Sequence, residues 1–316
     1  MAKITITDTG TMDPAEAVEF LEGEGHEVLV LNSTDPELVV EKAPDSEALI
    51  VSFIPVDRAL MERLPQLKVV ATMSVGYNGV DVEAARALDI DVYNMPSVAE
   101  EEVAAHALAG LLSITRFLPE ANTQVKEGGW DYAALPMPAR LSEQRLGLLA
   151  LGRIARHLVT LATPVVGEIV AYDPYVSEED WPSAVRRVHS LEELLQESDI
   201  LSLHAPLTEE SRGMIGEREL ALLPEGAFVV NVSRGGLIDE PALLAALESG
   251  QVRRAFLDTL ATEPPPAGDP LVAHPHVTVS PHSAFRSAKT ARDYVVIPAQ
   301  NAHEALAGRR PATLVN

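Results

Sequence analysis

The chain has 316 residues, 47% of them apolar, with 47 Asp and Glu against 24 Lys and Arg, a formal charge of −23. The length allows two domains with ample core, and the charge argues against a nucleic-acid backbone as partner, because phosphate contacts need clustered Lys and Arg. Cysteine is absent, which removes disulfides and thiolate chemistry; no apolar run reaches membrane-span length and the N-terminus lacks the apolar core of a signal peptide, so a cytoplasmic protein is expected.

Apolar β-rich runs alternate with helical patterns, the signature of parallel sheets with crossover helices. Strands are expected at 3–7, 27–31, 48–52, 68–72 and 91–93, with helices at 14–23, 56–63 and 82–88 between them. Ser97 is the expected N-cap of a long apolar helix reaching about Phe117. A looser stretch with Pro and Gly follows over 119–142. Strands are then expected at 146–151, 168–172, 200–204, 227–232, 255–258 and 277–280. The tail from about Ser287 reads as a helix that leaves the second unit and packs on the first. The expected fold is α/β, with two doubly wound parallel-sheet domains of the Rossmann and flavodoxin-like kind. The first covers 1–96 plus 287–316 and the second 97–286.

The segment 145–156, Arg-Leu-Gly-Leu-Leu-Ala-Leu-Gly-Arg-Ile-Ala-Arg, is a strand breaking into a helix. The dinucleotide pattern G-x-G-x-x-G falls here as Ala150-x-Gly152-x-x-Ala155. The central Gly152 lets the backbone approach a pyrophosphate, which would sit on the N–H groups opening the helix at Arg153 and Ile154. Asp173 ends the following strand, 23 residues after Ala150, where a carboxylate holds the ribose hydroxyls of NAD and repels the 2′-phosphate of NADP. No Arg or Lys adjoins it in sequence. Ala150 stands where the pattern has Gly for the tight turn, and the turn is expected to have relaxed to negative φ. Pro164 is expected to end or kink the first helix. Three further strand ends lie where the nicotinamide half would bind: His204, Ala205 and Pro206; Val232, Ser233 and Arg234; and Asp258, a candidate acceptor for the nicotinamide amide.

Arg234, Glu263 and His282 sit in that order in Asn-Val-Ser-Arg-Gly-Gly, Ala-Thr-Glu-Pro-Pro and Ser-Pro-His-Ser-Ala. They are the parts needed to move a hydride onto a 2-keto acid. An Arg forks onto the carboxylate and carbonyl oxygens. A protonated His supplies the proton. A carboxylate beside the His favours its imidazolium form. Each has an ordinary alternative: a surface ion pair for Arg234, a loop residue for Glu263, a turn residue for His282. His106, in an apolar helix pattern, reads as a satisfied structural histidine. His274 and His276 flank Pro275 without converging carboxylates, so no metal is expected. Trp130 reads as a packing or dimer element.

With Ser74-Val-Gly-Tyr-Asn-Gly-Val-Asp, Val98-Ala-Glu-Glu-Glu-Val-Ala-Ala-His-Ala-Leu and Gly129-Trp-Asp, these segments make the chain resemble the D-isomer-specific 2-hydroxyacid dehydrogenases over nearly its full length. The segments 101–108 and 282–287 are most similar to the branch containing C-terminal-binding-protein-type members. The resemblance implies catalytic Arg234, Glu263 and His282. It implies NAD contacts at Arg153, Ile154, Asp173, Val232 and Asp258, beside which Gly152, His282 and Ser283 are further candidates, and substrate contacts at the N–H groups of Val75 and Gly76, beside which Arg234 and His282 are candidates. It also implies a cleft between the domains and a homodimer. Ala150, Ala155, Pro164 and Thr259-Leu260 depart from the family pattern. The expected function is NAD-dependent reduction of a small 2-keto acid to the D-2-hydroxy acid, or the reverse. The alternative is an NAD(H)-sensing, corepressor-like binding protein. No regulatory domain is expected after Asn316.

Overall fold

The computed structural model describes all residues, 1–316, and divides the chain into two compact units: Met1–Val98 with Arg286–Asn316, and Ala99–Phe285. No helix is long and apolar enough to cross a membrane.

In the first unit, the chain forms β1 (Lys3–Ile6), α1 (Ala15–Gly23), β2 (Glu27–Val30), α2 (Pro36–Lys42), β3 (Ala48–Val51), α3 (Arg58–Glu62), β4 (Val69–Thr72), α4 (Val82–Ala87) and β5 (Asp91–Tyr93). The strands are all parallel, in the order β2-β1-β3-β4-β5. Side chains alternate across the sheet. Leu49, Val51, Val70 and Val92 bury against Val39, Leu60, Met61 and Ala84 on one face. Ile4, Ile6, Ile50 and Ala71 bury on the other, against Ala17 and Leu21 of α1 and Val295, Ala299 and Ala302 from the end of the chain. Burial on both faces is why these strands read as unbroken apolar runs. The helix at 36–42 escaped sequence reading, although Asp35 caps it and Pro36 opens it.

The second unit contains α5 (Glu100–Thr115), α6 (Leu118–Lys126), β6 (Arg145–Leu149), α7 (Arg153–Ala162), β7 (Glu168–Tyr172), β8 (Arg186–Arg187), α8 (Leu191–Gln196), β9 (Ile200–Leu203), α9 (Glu217–Ala221), β10 (Ala227–Asn231), α10 (Glu240–Ser249), β11 (Val252–Leu257) and β12 (Val277–Val279). Its parallel sheet runs β12-β11-β10-β9-β6-β7-β8. The chain winds outward from β6 to β8, then restarts at β9 on the other side of β6. The strand order therefore reverses between β6 and β9, the place where open α/β sheets take ligands at their carboxyl ends. One face of the sheet is covered by α5 and α7, through Ala104, Leu111, Ala155 and Leu158. The other is covered by α8, α9 and α10, through Leu194, Leu220 and Leu243.

Two expectations fail here. Ser97 is not an N-cap: it has φ 69°, and α5 begins at Glu100 behind Ala99 with no side-chain cap. Glu100, Glu101 and Glu102 in the first turn offset the positive end of the helix dipole instead. Part of the stretch expected to be irregular is α6, because Pro119 lies in the first turn, where its missing N–H is harmless. Pro164 does end α7, whose last helical residue is Ala162. The tail forms α11 (Ala288–Leu306), capped by Ser287 and packed on α1 and β4 of the first unit.

Candidate active site

The expected residues of the second unit line up along the carboxyl edge of one sheet. Across it stand the His282 turn after β12, Asp258 and Glu263 after β11, Arg234 after β10, His204 after β9, the Gly152 turn after β6, and Asp173 after β7.

The nucleotide turn departs from expectation at one position. Ala150 has φ +71°, so the turn has kept the left-handed conformation and has not relaxed. Two hydrogen bonds hold it there. Ala150 N–H donates to Tyr172 O at 2.9 Å, and Leu151 N–H donates to Asp173 Oδ2 at 2.8 Å. They outweigh the roughly 1–2 kcal/mol preference of an L-residue against this region. Gly152 then serves as N-cap of α7 with no side-chain cap, which leaves the first N–H groups of α7 open. A β-carbon on Gly152 would meet nothing within 4 Å, so the protein itself places no demand for glycine there. The space beside Gly152 and the open N–H groups of Arg153 and Ile154 fit a pyrophosphate. The Arg153 guanidinium pairs with Glu100. Ala155 is fully buried in the core beside α5.

Asp173 is buried, and each carboxylate oxygen accepts one backbone N–H, Oδ2 from Leu151 and Oδ1 from Tyr175 at 2.8 Å. One lone pair on each oxygen remains for a ribose hydroxyl. A cation does adjoin it in space, which sequence proximity could not reveal. Arg187 Nη2 lies 3.4 Å from the Asp173 carbonyl, while its guanidinium is tied to Glu178 and stacked 4.4 Å from the centre of the Trp181 ring.

On the other side of the switch point, His204 Nε2 lies 2.9 Å from Ser202 Oγ. Burial pushes its imidazole down to about 4, so it is neutral at pH 7. Ala205 O accepts from Ser233 Oγ at 2.6 Å, and Pro206 O accepts from Ser211 Oγ at 2.7 Å, which fixes both loops. Val232 is buried. Arg234 is exposed; its guanidinium reaches only its neighbour's carbonyl, Ser233 O, and pairs with no carboxylate, in a chain with a large acidic excess.

Glu263 and His282, 19 positions apart, come together with Oε2 and Nδ1 2.6 Å apart. Glu263 Oε1 accepts from Leu260 N–H at 2.9 Å, which fixes the carboxylate. A carboxylate only accepts, so Nδ1 carries the hydrogen and Nε2 is left as the atom that can give or take a proton. His282 itself has φ +47°. Its N–H donates to Asp258 O at 2.9 Å.

Asp258 has a role that sequence reading missed. Only 2% exposed, its carboxylate accepts from Ser280 Oγ at 2.6 Å, Ser283 N–H at 2.9 Å and Ala284 N–H at 3.0 Å. Burial pushes its carboxyl up, but the donors, His106 and Ser280 among them, outweigh burial and hold it below the usual carboxylate range. It folds the His282 turn around itself. The Thr259 hydroxyl beside it is buried without a partner, an arrangement that costs about 1–3 kcal/mol. His274 and His276 stack edge to face on each other.

Val75 and Gly76 lie in the first unit, in the loop after β4. The carbonyls of Ser74, Val75 and Gly76 accept from Met95 N–H, Asn94 Nδ2 and Ser74 Oγ respectively. The N–H groups of Val75 and Gly76 donate to no protein acceptor.

The profile of the D-isomer specific 2-hydroxyacid dehydrogenase NAD-binding domain matches residues 108–284. Glyoxylate reductase of Korarchaeum cryptofilum is 36% identical over 285 residues, covering 89% of this chain and 86% of its own. D-3-Phosphoglycerate dehydrogenase of Methanocaldococcus jannaschii is 35% identical over all of this chain, which spans 60% of that relative's length. This chain likewise spans about half of the Archaeoglobus fulgidus D-3-phosphoglycerate dehydrogenase, 51% of its length. A crystal structure of a Thermus thermophilus protein, 32% identical, superimposes with a TM-score of 0.90 over 99% of this chain and 100% of that one. The two parallel-sheet units, the Gly152 turn and the paired Glu263 and His282 therefore sit in a chain that belongs to the D-isomer specific 2-hydroxyacid dehydrogenases and binds NAD.

Proposed function

We propose that the protein reduces a small 2-keto acid to the D-2-hydroxy acid with NADH, or catalyses the reverse. The observation that carries this reading is the 2.6 Å contact between His282 Nδ1 and Glu263 Oε2. It leaves Nε2 as the proton-carrying atom.

When bound, NADH supplies the hydride that adds to C2 of the keto acid. Arg234, without a protein carboxylate, holds the substrate carboxylate and polarises the carbonyl. As the carbonyl π pair moves onto oxygen, His282 Nε2–H delivers its proton there and becomes neutral imidazole. Glu263 keeps the ring oriented and balances its charge beforehand. The open N–H groups of Val75 and Gly76 offer further donors for the carboxylate. In this reading 1–96 plus 287–316 is the substrate-binding domain and 97–286 the NAD-binding domain. Asp173 makes NAD the preferred cofactor over NADP, because Arg187 is already tied to Glu178 and Trp181.

The group on C3 of the substrate is read by the first unit. At the carboxyl ends of β1, β3, β4 and β5, the loops 7–13, 52–57, 73–81 and 94–98 contain no Lys, Arg or His. They expose Phe53, at 73%, with Val75 and Tyr77. Such loops favour an uncharged C3 substituent over a phosphorylated one, since a phosphate wants Arg or Lys. A second copy of the chain is the proposed partner. It would cover the apolar side chains that α6 and the following loop expose, with Trp130 at 89% and Tyr132 and Met137 beside it in sequence. The proposed location is the cytoplasm.

The test is loss of NADH absorbance with glyoxylate, pyruvate, hydroxypyruvate, a branched 2-keto acid and a phosphorylated one, for the wild type and His282→Ala. Turnover of the unphosphorylated acids, lost by about 10²-fold or more in the variant, is the expected result. Tight NADH binding with no turnover of any acid refutes the enzyme and leaves the NAD(H)-sensing alternative.

A further inference from the structure

His106 lies on α5, away from the row of strand ends that carries the catalytic loops, and yet its side chain reaches them. Its Nε2 is 2.9 Å from Ser280 Oγ and 3.5 Å from Asp258 Oδ1. Ser280 Oγ–H already donates to Asp258 Oδ1, so its oxygen accepts from His106 Nε2–H. The donors therefore run in series, His106 to Ser280 to Asp258, and such chains strengthen one another in a low-dielectric setting. α5 can deliver the ring because it lies directly on β11. One turn after His106, a β-carbon on Gly110 would stand 2.2 Å from the Phe256 ring, and the His106 ring itself packs 5.3 Å from that of Phe256.

The far end of the series is the His282 turn. Asp258 binds that turn through the N–H groups of Ser283 and Ala284 with its carboxylate and through the N–H of His282 with its carbonyl. The turn needs such restraint, because His282 at φ +47° is in the left-handed region that L-residues avoid. Without the His106 donor, the Ser280 hydroxyl is free to turn away from Asp258. The buried carboxylate then loses a partner at the place where it holds the turn.

We infer that His106 is a positioning residue for the reaction, holding His282 in register with Glu263 through Ser280 and Asp258. The inference rests on the proposed role of His282. A misplacement of about 1 Å in a catalytic group costs on the order of 10²-fold in rate, whereas the Gly152 turn and Asp173 do not depend on this series. Asp258, His282 and Ser283 are expected to meet only the nicotinamide end of NAD, so loss of His106 should slow turnover far more than it weakens NADH binding, which the Gly152 turn and Asp173 continue to support.

The test uses the full chain and a 2-keto acid that the wild type reduces, with His106→Phe, His106→Gln, Ser280→Ala, the His106→Phe/Ser280→Ala pair and His282→Ala. Phenylalanine keeps the packing on Phe256 and removes the donor; glutamine restores an N–H donor. His106→Phe should lower kcat by about 10- to 100-fold, with Kd for NADH within about threefold of wild type. His106→Gln should recover most of the loss. Ser280→Ala should behave like His106→Phe, and the pair should be no worse than the poorer single variant, because both cut one series. If His106→Phe does not fold, Ser280→Ala carries the same expectation. Wild-type kcat in His106→Phe, or in Ser280→Ala where that variant stands in, overturns the inference. So does a fall in kcat matched by a fall in NADH affinity and not recovered by glutamine, which is the mark of a purely structural role. A wild type that reduces no 2-keto acid, or a His282→Ala variant with near wild-type turnover, overturns the proposed function and this inference together. An inactive His282→Ala beside a fully active His106→Phe overturns this inference alone.

Discussion

Gly235 and Leu260 meet backbone to backbone: a β-carbon on Gly235 would stand 1.9 Å from the Leu260 carbonyl carbon and 2.2 Å from Ala261 N. Gly235 directly follows Arg234, and Leu260 N–H fixes the Glu263 carboxylate. The contact therefore sets the Arg234 loop against the Glu263 loop. Ala261 N–H is anchored in turn on Glu240 Oε1 at 2.7 Å. Gly235→Ala places a methyl on backbone atoms that no side-chain rotation can clear. Overpacking of this kind costs about 1–3 kcal/mol. The variant should melt at lower temperature and lose most of its turnover, measured by thermal unfolding and keto-acid reduction. Wild-type values for both would mean that the two loops are not held together here.

Gly152 predicts the opposite pattern. Its backbone is extended, with φ −73°, and the space outside it is empty of protein. Gly152→Ala should therefore fold with a melting temperature close to wild type. The methyl would project into the space proposed for the pyrophosphate, so NADH affinity should fall by at least about tenfold, or 1.4 kcal/mol. Titration of NADH fluorescence separates the two effects. Unchanged affinity would move the pyrophosphate away from this turn.

These two glycines illustrate what the sequence discloses. Gly152 was legible because the dinucleotide pattern places it between a strand and a helix. Arg234, Glu263 and His282 were legible because each occupies an ordered local context after a strand. The strands themselves were legible as apolar runs buried on both faces. What escaped was set by contacts between distant positions. His106 and Ser280 are 174 residues apart, and nothing local to either announces the other. Arg187 reaches Asp173 from β8, a strand of two residues that carries no pattern. Length alone does not decide what is lost, since α3 and α4 are shorter than α2 and α6 and were read; in α6 it was Pro119, in a stretch with further Pro and Gly, that read as a breaker.

His204 gives a pH dependence with a definite sign. Its folded-state value, about 4, is below the 6.5 of the unfolded chain. Between those values the unfolded state binds the proton first, so stability falls as pH drops from about 6.5 towards 4. At about 1.4 kcal/mol per tenfold, the full effect is at most about 3.5 kcal/mol. His204→Gln removes the titrating ring. Its melting temperature should fall less than that of the wild type between pH 7 and pH 4.5. Parallel curves for the two proteins would show that His204 is not held neutral by burial.

The Ala150 turn supplies the last prediction. An alanine here suggested a relaxed backbone, but φ is +71°. Local preference lost to two hydrogen bonds from the peptides on either side of Ala150, Ala150 N–H to Tyr172 O and Leu151 N–H to Asp173 Oδ2. A methyl in the left-handed region costs about 1–2 kcal/mol. Replacing it by glycine relieves that cost and returns about 0.4–1 kcal/mol of chain freedom to the unfolded state. The net effect should favour the folded protein by about 0.5–1 kcal/mol, which for a unit of this size raises the melting temperature by roughly 1–4 °C. Glycine adopts the left-handed turn that Ala150 already holds, so Ala150→Gly should leave Kd for NADH within about threefold. A lowered melting temperature would show that the turn carries no strain. A large gain in NADH affinity would show that Ala150 holds the turn away from its binding shape. Cofactor binding would then be what the alanine weakens, as a protein that senses NADH would need.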